Sequence, residues 1–361
     1  MKLAFLGDRS SIHIVRWVNE MAIRGHDVHV ITMTETLDPL LDTVNVHVLP
    51  FGRPHGYFLN ALALRRTLGR IKPDLLHVHC ASGYGTLGSL TGLHPRIVSV
   101  WGGDVYDFPS KSPLHHWLVS RTLRTADWVC STSQTMAEHT ARSFPEIKRL
   151  SVIPFGIDGG RFYPEPSRRH PDILTVGTVK ALRPNYGIRY LIEGFGRARE
   201  MLRNRSPSLA QKLRLLIVGG GSERAQLESL VGKLGLGSVT TFTGAVPHSQ
   251  VPEYLNQLDV YVAVSVGESF GVAVLEASAC GLPVVVSAVG GLPEVVVDGV
   301  TGFVVEKKNA LATAEALLRL IEDPCLRQSM GESGRQHVIS RYRWAESARL
   351  MEDVYRRVGT A

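Results

Sequence analysis

Glu268 and Glu276 bracket the run from Ser269 to Leu275 in ESFGVAVLE. The apolar run DVYVAVSV (259–266) just before it predicts a strand, leaving Glu268 in the loop at the strand's carboxyl end. Ser269, Phe270 and Gly271 then open a helix that carries Glu276 one to two turns in. Unpaired amides at a helix start are a seat for phosphate, and Gly271 lets a ligand approach the backbone closely. Glu276 stands between Leu275 and Ala277 in an apolar helix ending at Cys280-Gly281. A carboxylate there needs partners, and a ribose diol offers two hydroxyl donors at once. Glu268 is placed to accept hydrogen bonds from sugar hydroxyls. A plainer account has Glu268 complementing the helix dipole and Glu276 facing solvent. Taken alone, the spacing favours the plainer account.

The elements that must hold these residues repeat along the chain. Short apolar runs KLAFLG (2–7), HDVHVIT (26–32), VNVHVLP (44–50), DLLHVHC (74–80), RIVSVWG (96–102), DWVCSTS (127–133) and SVIPFG (151–156) alternate with helical patterns at 12–24, 59–71, 113–125 and 133–143. Near-continuous apolar strands separated by helices predict a parallel sheet covered on both faces. The segment 158–172, rich in Pro, Gly, Arg and His, reads as an interdomain linker. The pattern then restarts with DILTVGT (172–178), LRLLIVGGG (213–221), SVTTFTG (238–244), DVYVAVSV, PVVVSAVGG (283–291) and GFVVE (302–306). The expectation is two doubly wound α/β domains facing a deep cleft, with ligands at the carboxyl ends of the strands.

Composition narrows the class. The 361 residues suffice for two domains. The net charge of +7 splits into +3 over residues 1–160 and +4 over the rest, with no long basic run and no nucleic-acid-binding signature. A solubility charge explains it before an anionic ligand or membrane does. Cys80, Cys130, Cys280 and Cys325 stand alone, which argues against a disulfide framework or structural zinc and suits a reducing cytosol. No apolar stretch approaches spanning length, so any membrane attachment is expected to be peripheral, on the inner face. Of the 14 His, 11 precede residue 140 without convergent spacing, and no DxD pair occurs; no divalent metal and no cofactor are expected.

With these surroundings, the chain resembles family 4 of the retaining glycosyltransferases, which have the GT-B fold of two Rossmann-like domains. The resemblance rests on ESFGVAVLE as an EX7E motif and on ACGLPVVVSAVGGLPEVVVDGVTGFVV (279–305). It extends to VIPFGID with Arg161-Phe162 (152–162), VGTVKALRPNYGIRYLIEGF (176–195), LLIVGGGSERAQLESL (215–230) and TFTGAVPHSQVPEYLNQLDVYVAVS (241–265). It covers nearly the whole chain, most densely after residue 150. It implies an acceptor-binding domain over 1–160, a donor-binding domain over 161–342, and a final helix (343–361) packing back on the first domain.

The resemblance assigns Glu276 to the donor ribose and Glu268 to the transferred sugar. The backbone of Ser269, Phe270, Gly271 and Val272 goes to sugar and diphosphate. Val246 and Pro247 flank the base, with Gly244 and the Gly219–Gly221 turn lining the same pocket. A ligand-free tight turn accounts for Gly219 and Gly221 equally well. Family members commonly carry an Arg just after Gly177 and a Lys just before Gly187, both against the diphosphate. Here those positions are Thr178 and Tyr186. Lys180 and Arg183 are the candidates to replace them, Lys180 first because it is nearer the strand end.

The opening GDRSSIHIVRWVNEMAIRGHDVHVIT (7–32) is similar to the family's first strand, loop and helix. Amides of Ser10 and Ser11 would meet donor phosphates, although N-capping by the two serines explains them as well. His13 and Arg16 would face the acceptor. His77 and His79 share a strand face. His79, nearer the carboxyl end, is the catalytic candidate, and His77 a satisfied structural residue. Trp101 replaces a histidine that many relatives use near the reacting centre, and a Trp there can stack on a sugar or acceptor ring. Asp104 has two readings of equal weight, orienting hydroxyls or holding a turn. The stretch YFLNALALRRTLGRIK (57–72) pairs Phe58, Leu62 and Leu68 with Arg65, Arg66, Arg70 and Lys72. It suits an anionic membrane and a lipid-linked acceptor, or simply a surface helix.

The implied activity is retaining transfer of a hexose-type sugar from a UDP- or GDP-type donor to a sugar, lipid-linked or small-molecule acceptor, in polysaccharide or glycolipid synthesis. Its charge balance relies on cations and helix amides rather than metal. Competing readings are a dinucleotide-dependent oxidoreductase, an epimerase or phosphorylase, and a non-catalytic sugar-nucleotide binder. Against the first, Arg224 stands where GxGxxG needs its third Gly.

Overall fold

The computed structural model describes residues 1–34 and 40–359. Two compact units result, Met1–Pro154 with Ala345–Ala361, and Phe155–Trp344. In the first unit, β1 (Lys2–Leu6), β2 (Asp27–Thr32), β3 (Asn45–Val48), β4 (Leu75–His79), β5 (Arg96–Val100), β6 (Trp128–Ser131) and β7 (Leu150–Val152) form one sheet, ordered β3-β2-β1-β4-β5-β6-β7. In the second, β8 (Leu174–Val179), β9 (Leu213–Val218), β10 (Thr240–Gly244), β11 (Val260–Ala263), β12 (Val284–Ser287) and β13 (Gly302–Val305) are ordered β10-β9-β8-β11-β12-β13. The pairings between these strands are parallel.

Burial on both faces explains the unbroken apolar runs: Leu3–Leu6 and Val284–Val286 are fully inaccessible. Helices supply the covering layers. Phe195, Leu202 and Leu317 from helices Ile188–Arg205 and Ala310–Glu322 complete the core of the second sheet. Strand order reverses between β1 and β4 in one sheet and between β8 and β11 in the other. At such switch points neighbouring loops leave in opposite directions and open a crevice.

Two segments differ from the sequence reading. The segment 158–172 is not a free linker but part of the second unit. Glu165 N donates to Asn256 Oδ1 (2.7 Å), and Ile157 N to Tyr342 O (2.6 Å). The stretch 59–71 is two helices, Gly56–Leu59 and Ala61–Ile71, and Leu68 is a core residue while Phe58 and Leu62 are exposed. The final helix, Trp344–Gly359, buries Met351, Val354 and Tyr355. Among the described residues no helix is long and apolar enough to cross a membrane.

Candidate active site

Lys180 follows β8 directly, and Glu268 lies in the loop after β11. The loop after β8 is pinned on both sides. Lys180 N donates to Val218 O (2.8 Å) and Leu182 N to Gly220 O (2.9 Å), while Asn185 O accepts from Val266 N (2.8 Å) and Gly267 N (3.1 Å). Between these anchors Lys180 Nζ forms a close ion pair with Glu268 Oε2, both side chains largely buried. The ammonium lies 4.4 Å from the centre of the Tyr186 ring. Burial alone would lower the Lys180 pKa, but the Glu268 carboxylate, with Tyr261 and Tyr186, outweighs it and raises the value. A permanent cation therefore sits at the switch point of the second sheet. Tyr261, beneath it, is pushed up to about 12, first by burial, with Lys180 opposing and Glu276 and Glu268 adding.

Glycines let backbones meet around this pair. A Cβ on Gly219 would stand 1.9 Å from Lys180 O, and one on Gly221 2.2 Å from Leu182 O. The tight-turn account of both glycines is thus sufficient, and their packing fixes the Lys180 loop. Gly244 O accepts from Gly219 N at 2.9 Å, closing the same turn. Gly290, with φ of +50°, passes so near Glu268 O that a Cβ would lie 1.6 Å away. In the sequence this glycine stands within the run PVVVSAVGG with no local mark of that role.

Glu276 is 6% exposed, on helix Val272–Ala279, so the solvent-facing account fails. Its Oε1 pairs with His248 Nε2 at 2.9 Å. His248 directly follows Val246 and Pro247, which are half-buried and exposed respectively. His248 is not among the residues expected from sequence; its place beside the base-flanking pair is the one sequence signal for it. Phe270 is buried with its ring 5.7 Å from Tyr342, leaving only backbone for a ligand, and Gly271 occupies the N-cap. Ser269 and Val272 are half-buried beside them. Arg183 is exposed and makes no ion pair among the described residues, unlike Lys180.

In the first unit, the loop after β1 is organised by Asp8, which the sequence reading passed over. Asp8 Oδ1 accepts from Ser10 N (3.0 Å), Ser10 Oγ (2.7 Å) and Thr34 Oγ1 (2.9 Å), and Oδ2 from Arg53 (2.5 Å). Burial works to raise its pKa, yet these hydrogen bonds and Arg53 bring it below the usual value. Ser11 occupies the N-cap of helix Ile12–Ile23 but makes no side-chain cap bond, and Ser10 is turned to Asp8; side-chain capping is therefore not their role.

His77 is satisfied, with Nδ1 2.7 Å from Tyr355 Oη and Nε2 2.7 Å from Ser99 Oγ. His79 stacks on it at 4.2 Å, is buried, and has no hydrogen-bond partner on either nitrogen among the described residues. Burial, then His77 and His13, holds its pKa well below the ordinary value, so the ring is neutral. Trp101 joins His79 (4.8 Å) to His13 (5.8 Å) edge-on, and Arg16 follows one turn along the helix from His13. Asp104 is buried, and its oxygens accept from Ala81 N (2.7 Å), Trp101 N (3.1 Å) and Gly102 N (2.8 Å). Of its two readings, the turn role accounts for these contacts.

The model of the family described as glycosyl transferases group 1 matches residues 160–337, and that described as glycosyl transferase 4-like matches residues 2–133. The chain is similar to the GDP-mannose-dependent alpha-(1-6)-phosphatidylinositol monomannoside mannosyltransferase of Mycolicibacterium smegmatis. The two are 31% identical over 311 residues, covering 81% of this chain and 79% of that one. Several other relatives are matched over about half of their own length. Among solved structures, sucrose-phosphate synthase from Thermosynechococcus elongatus aligns with TM-score 0.86 at 23% identity, covering 99% of this chain and 98% of that one. Anabaena HepE in complex with UDP-glucose aligns with TM-score 0.80 at 19% identity, covering 98% and 99%. Both likenesses concern the fold, which is GT-B.

Proposed function

As a member of the glycosyl transferases group 1 family, the chain is a nucleotide-sugar-dependent glycosyltransferase of hexosyl type, and we propose that Lys180, Glu268 and Glu276 grip its donor. The observation that carries this assignment is the buried Lys180–Glu268 pair at the β8/β11 switch point. Lys180 is positioned to meet the departing diphosphate, and Glu268 the hydroxyls of the sugar. Tyr186, where relatives commonly carry a lysine, lies against the Lys180 ammonium, which supports Lys180 as the substituted cation. Arg183, exposed in the same loop, is the second cation proposed for the diphosphate. Amides of Ser269 to Val272 add dipoles where charge develops. Glu276 takes the ribose diol, and Val246 and Pro247 the base, of UDP or GDP type.

Attack by the acceptor hydroxyl on the face the diphosphate leaves retains the anomeric configuration. The acceptor side falls to the β1/β4 switch point, where the Trp101 ring meets those of His13 and His79 edge-on and Arg16 follows one turn along the helix from His13. His79, neutral and unpaired, is the group there able to take a proton if the ring becomes reachable. Activity should survive EDTA, because the diphosphate charge is met by Lys180 and backbone amides.

The acceptor is proposed to be lipid-linked and approached at an anionic surface. Residues 43–73 contain no acidic residue. Phe58 (52%), Leu59 (59%) and Leu62 (58%) are exposed beside the cations Arg65, Arg66, Arg70 and Lys72.

Calorimetric titration with UDP, GDP and their hexose conjugates, followed by transfer assays, tests the reading. Lys180→Ala is expected to lower kcat by about 10²–10³, the range for losing one charge-stabilising donor. Glu276→Gln should weaken donor binding about tenfold while leaving kcat near wild type. Unchanged kinetics in both variants would refute the assignment.

A further inference from the structure

We infer that His248 is a positioning residue for Glu276, one that makes the enzyme select ribonucleotide over 2′-deoxyribonucleotide donors. The inference rests on the donor-binding reading above. A carboxylate as buried as Glu276 requires a partner, and His248 Nε2, at 2.9 Å from Oε1, is the one recorded among the described residues. That bond fixes the carboxylate's rotation and leaves Oε2 for a ribose hydroxyl.

His248 is itself held in place. It opens the short turn His248–Gln250, and its carbonyl accepts from an Arg161 guanidinium nitrogen at 2.6 Å. Its ring stands 5.9 Å from that of Phe162, which is buried. Backbone and ring are therefore anchored by the segment 161–162, far along the chain from Glu276. The consequence is geometric. Val246 and Pro247, proposed to flank the base, belong to the same turn as His248, so one hydrogen bond ties the base-contacting turn to the ribose-contacting helix. Base and ribose are then gripped at a fixed separation, as outer-sphere partners do for the groups they orient.

The test uses the full chain and four probes: uridine and guanosine diphosphates and their 2′-deoxy counterparts. Affinity is measured for the wild type, His248→Ala, His248→Gln and Glu276→Gln. The wild type should bind its preferred ribonucleotide about tenfold or more tightly than the deoxy form. His248→Ala should lose about tenfold on the ribonucleotide and little on the deoxynucleotide, so that the preference collapses. His248→Gln, which keeps a donor near the Nε2 position, should restore most of it. The double variant His248→Ala/Glu276→Gln should be no worse than Glu276→Gln alone. Donor KM should rise with kcat within about twofold, since the loss lies in binding. Equal weakening of ribo and deoxy forms, or an intact preference in His248→Ala, overturns this inference alone. A wild type that binds none of the four probes, or shows no preference, overturns it together with the donor-binding reading.

Discussion

His77 and His79 stack face to face at 4.2 Å in the heart of the first unit, and their protonation is a matter of stability as well as chemistry. Burial pushes the His77 pKa down to about 3. The unfolded chain takes up that proton near the ordinary histidine value of about 6.5. Between those limits the unfolded state binds more protons than the folded one, so stability must fall as pH drops below about 6.5. His79, depressed first by burial and then by His77, acts in the same direction. Each group contributes a slope of up to about 1.4 kcal/mol per pH unit. Denaturant titrations at pH 7, 6 and 5 should show the decline. His77→Gln should be shallower by about one proton, whatever its stability at pH 7; an unchanged slope would mean that His77 is not held neutral by the fold. The pair's placement on one face was legible from strand alternation, as was Lys180 from its position after an apolar run. His248 was legible only as the neighbour of Val246 and Pro247; its bond to Glu276 was not, because the partner stands 28 residues away and no local pattern encodes that contact.

The helices Gly56–Leu59 and Ala61–Ile71 show how an element divides its duties. Leu64, Leu68 and Ile71 pack inward, while Phe58, Leu59 and Leu62 remain outside among cations. A membrane-facing role predicts sedimentation with vesicles of phosphatidylcholine containing phosphatidylglycerol, and much less with phosphatidylcholine alone. Interfacial attraction of about 1 kcal/mol per basic residue is screened by salt, so binding should weaken in 0.5 M NaCl, on the order of a Debye length of 4 Å. Leu62→Glu should reduce it about tenfold without altering the unfolding midpoint, because the Leu62 side chain is largely exposed. Equal binding to both vesicle types would refute the role. A single helix over 59–71 was the expectation from periodicity. The break at Asn60 escaped it because the cause is tertiary: Asn60 accepts from Phe51 N (3.1 Å) and donates to Phe51 O (2.8 Å). Strands were the readable elements, since burial on both faces writes them as apolar runs. The short edge strand β7, only half-buried, begins one residue before its run did. The segment 158–172 misled because its backbone is held from afar, Glu165 N donating to Asn256 Oδ1 and Tyr163 O accepting from Asn256 Nδ2, contacts that its Pro and Gly content does not encode.

At the scale of the whole molecule the two units differ in how the chain builds them. The second is continuous, Phe155–Trp344, and contains its complete sheet, its core and the Lys180, Glu268, Glu276 and His248 cluster. The first is discontinuous and requires Ala345–Ala361. There Glu352 accepts from Arg24 (2.9 Å) and pairs with His26 (3.0 Å), and Tyr355 is the partner of His77 Nδ1. Losing that helix would strand a buried imidazole nitrogen and uncover Met351, Val354 and Tyr355's seat, each buried aliphatic chain being worth about 1.5–3 kcal/mol. A fragment spanning 155–344 is therefore expected to fold cooperatively and to bind the preferred nucleoside diphosphate within about tenfold of the full chain, if the donor is held as proposed. A fragment spanning 1–154 should be molten or aggregated alone and gain near-ultraviolet dichroism when the peptide 345–361 is supplied. Nucleotide affinity lost entirely in the 155–344 fragment, despite cooperative unfolding, would show that the first unit contributes far more to donor binding than the Lys180–Glu268 pair implies.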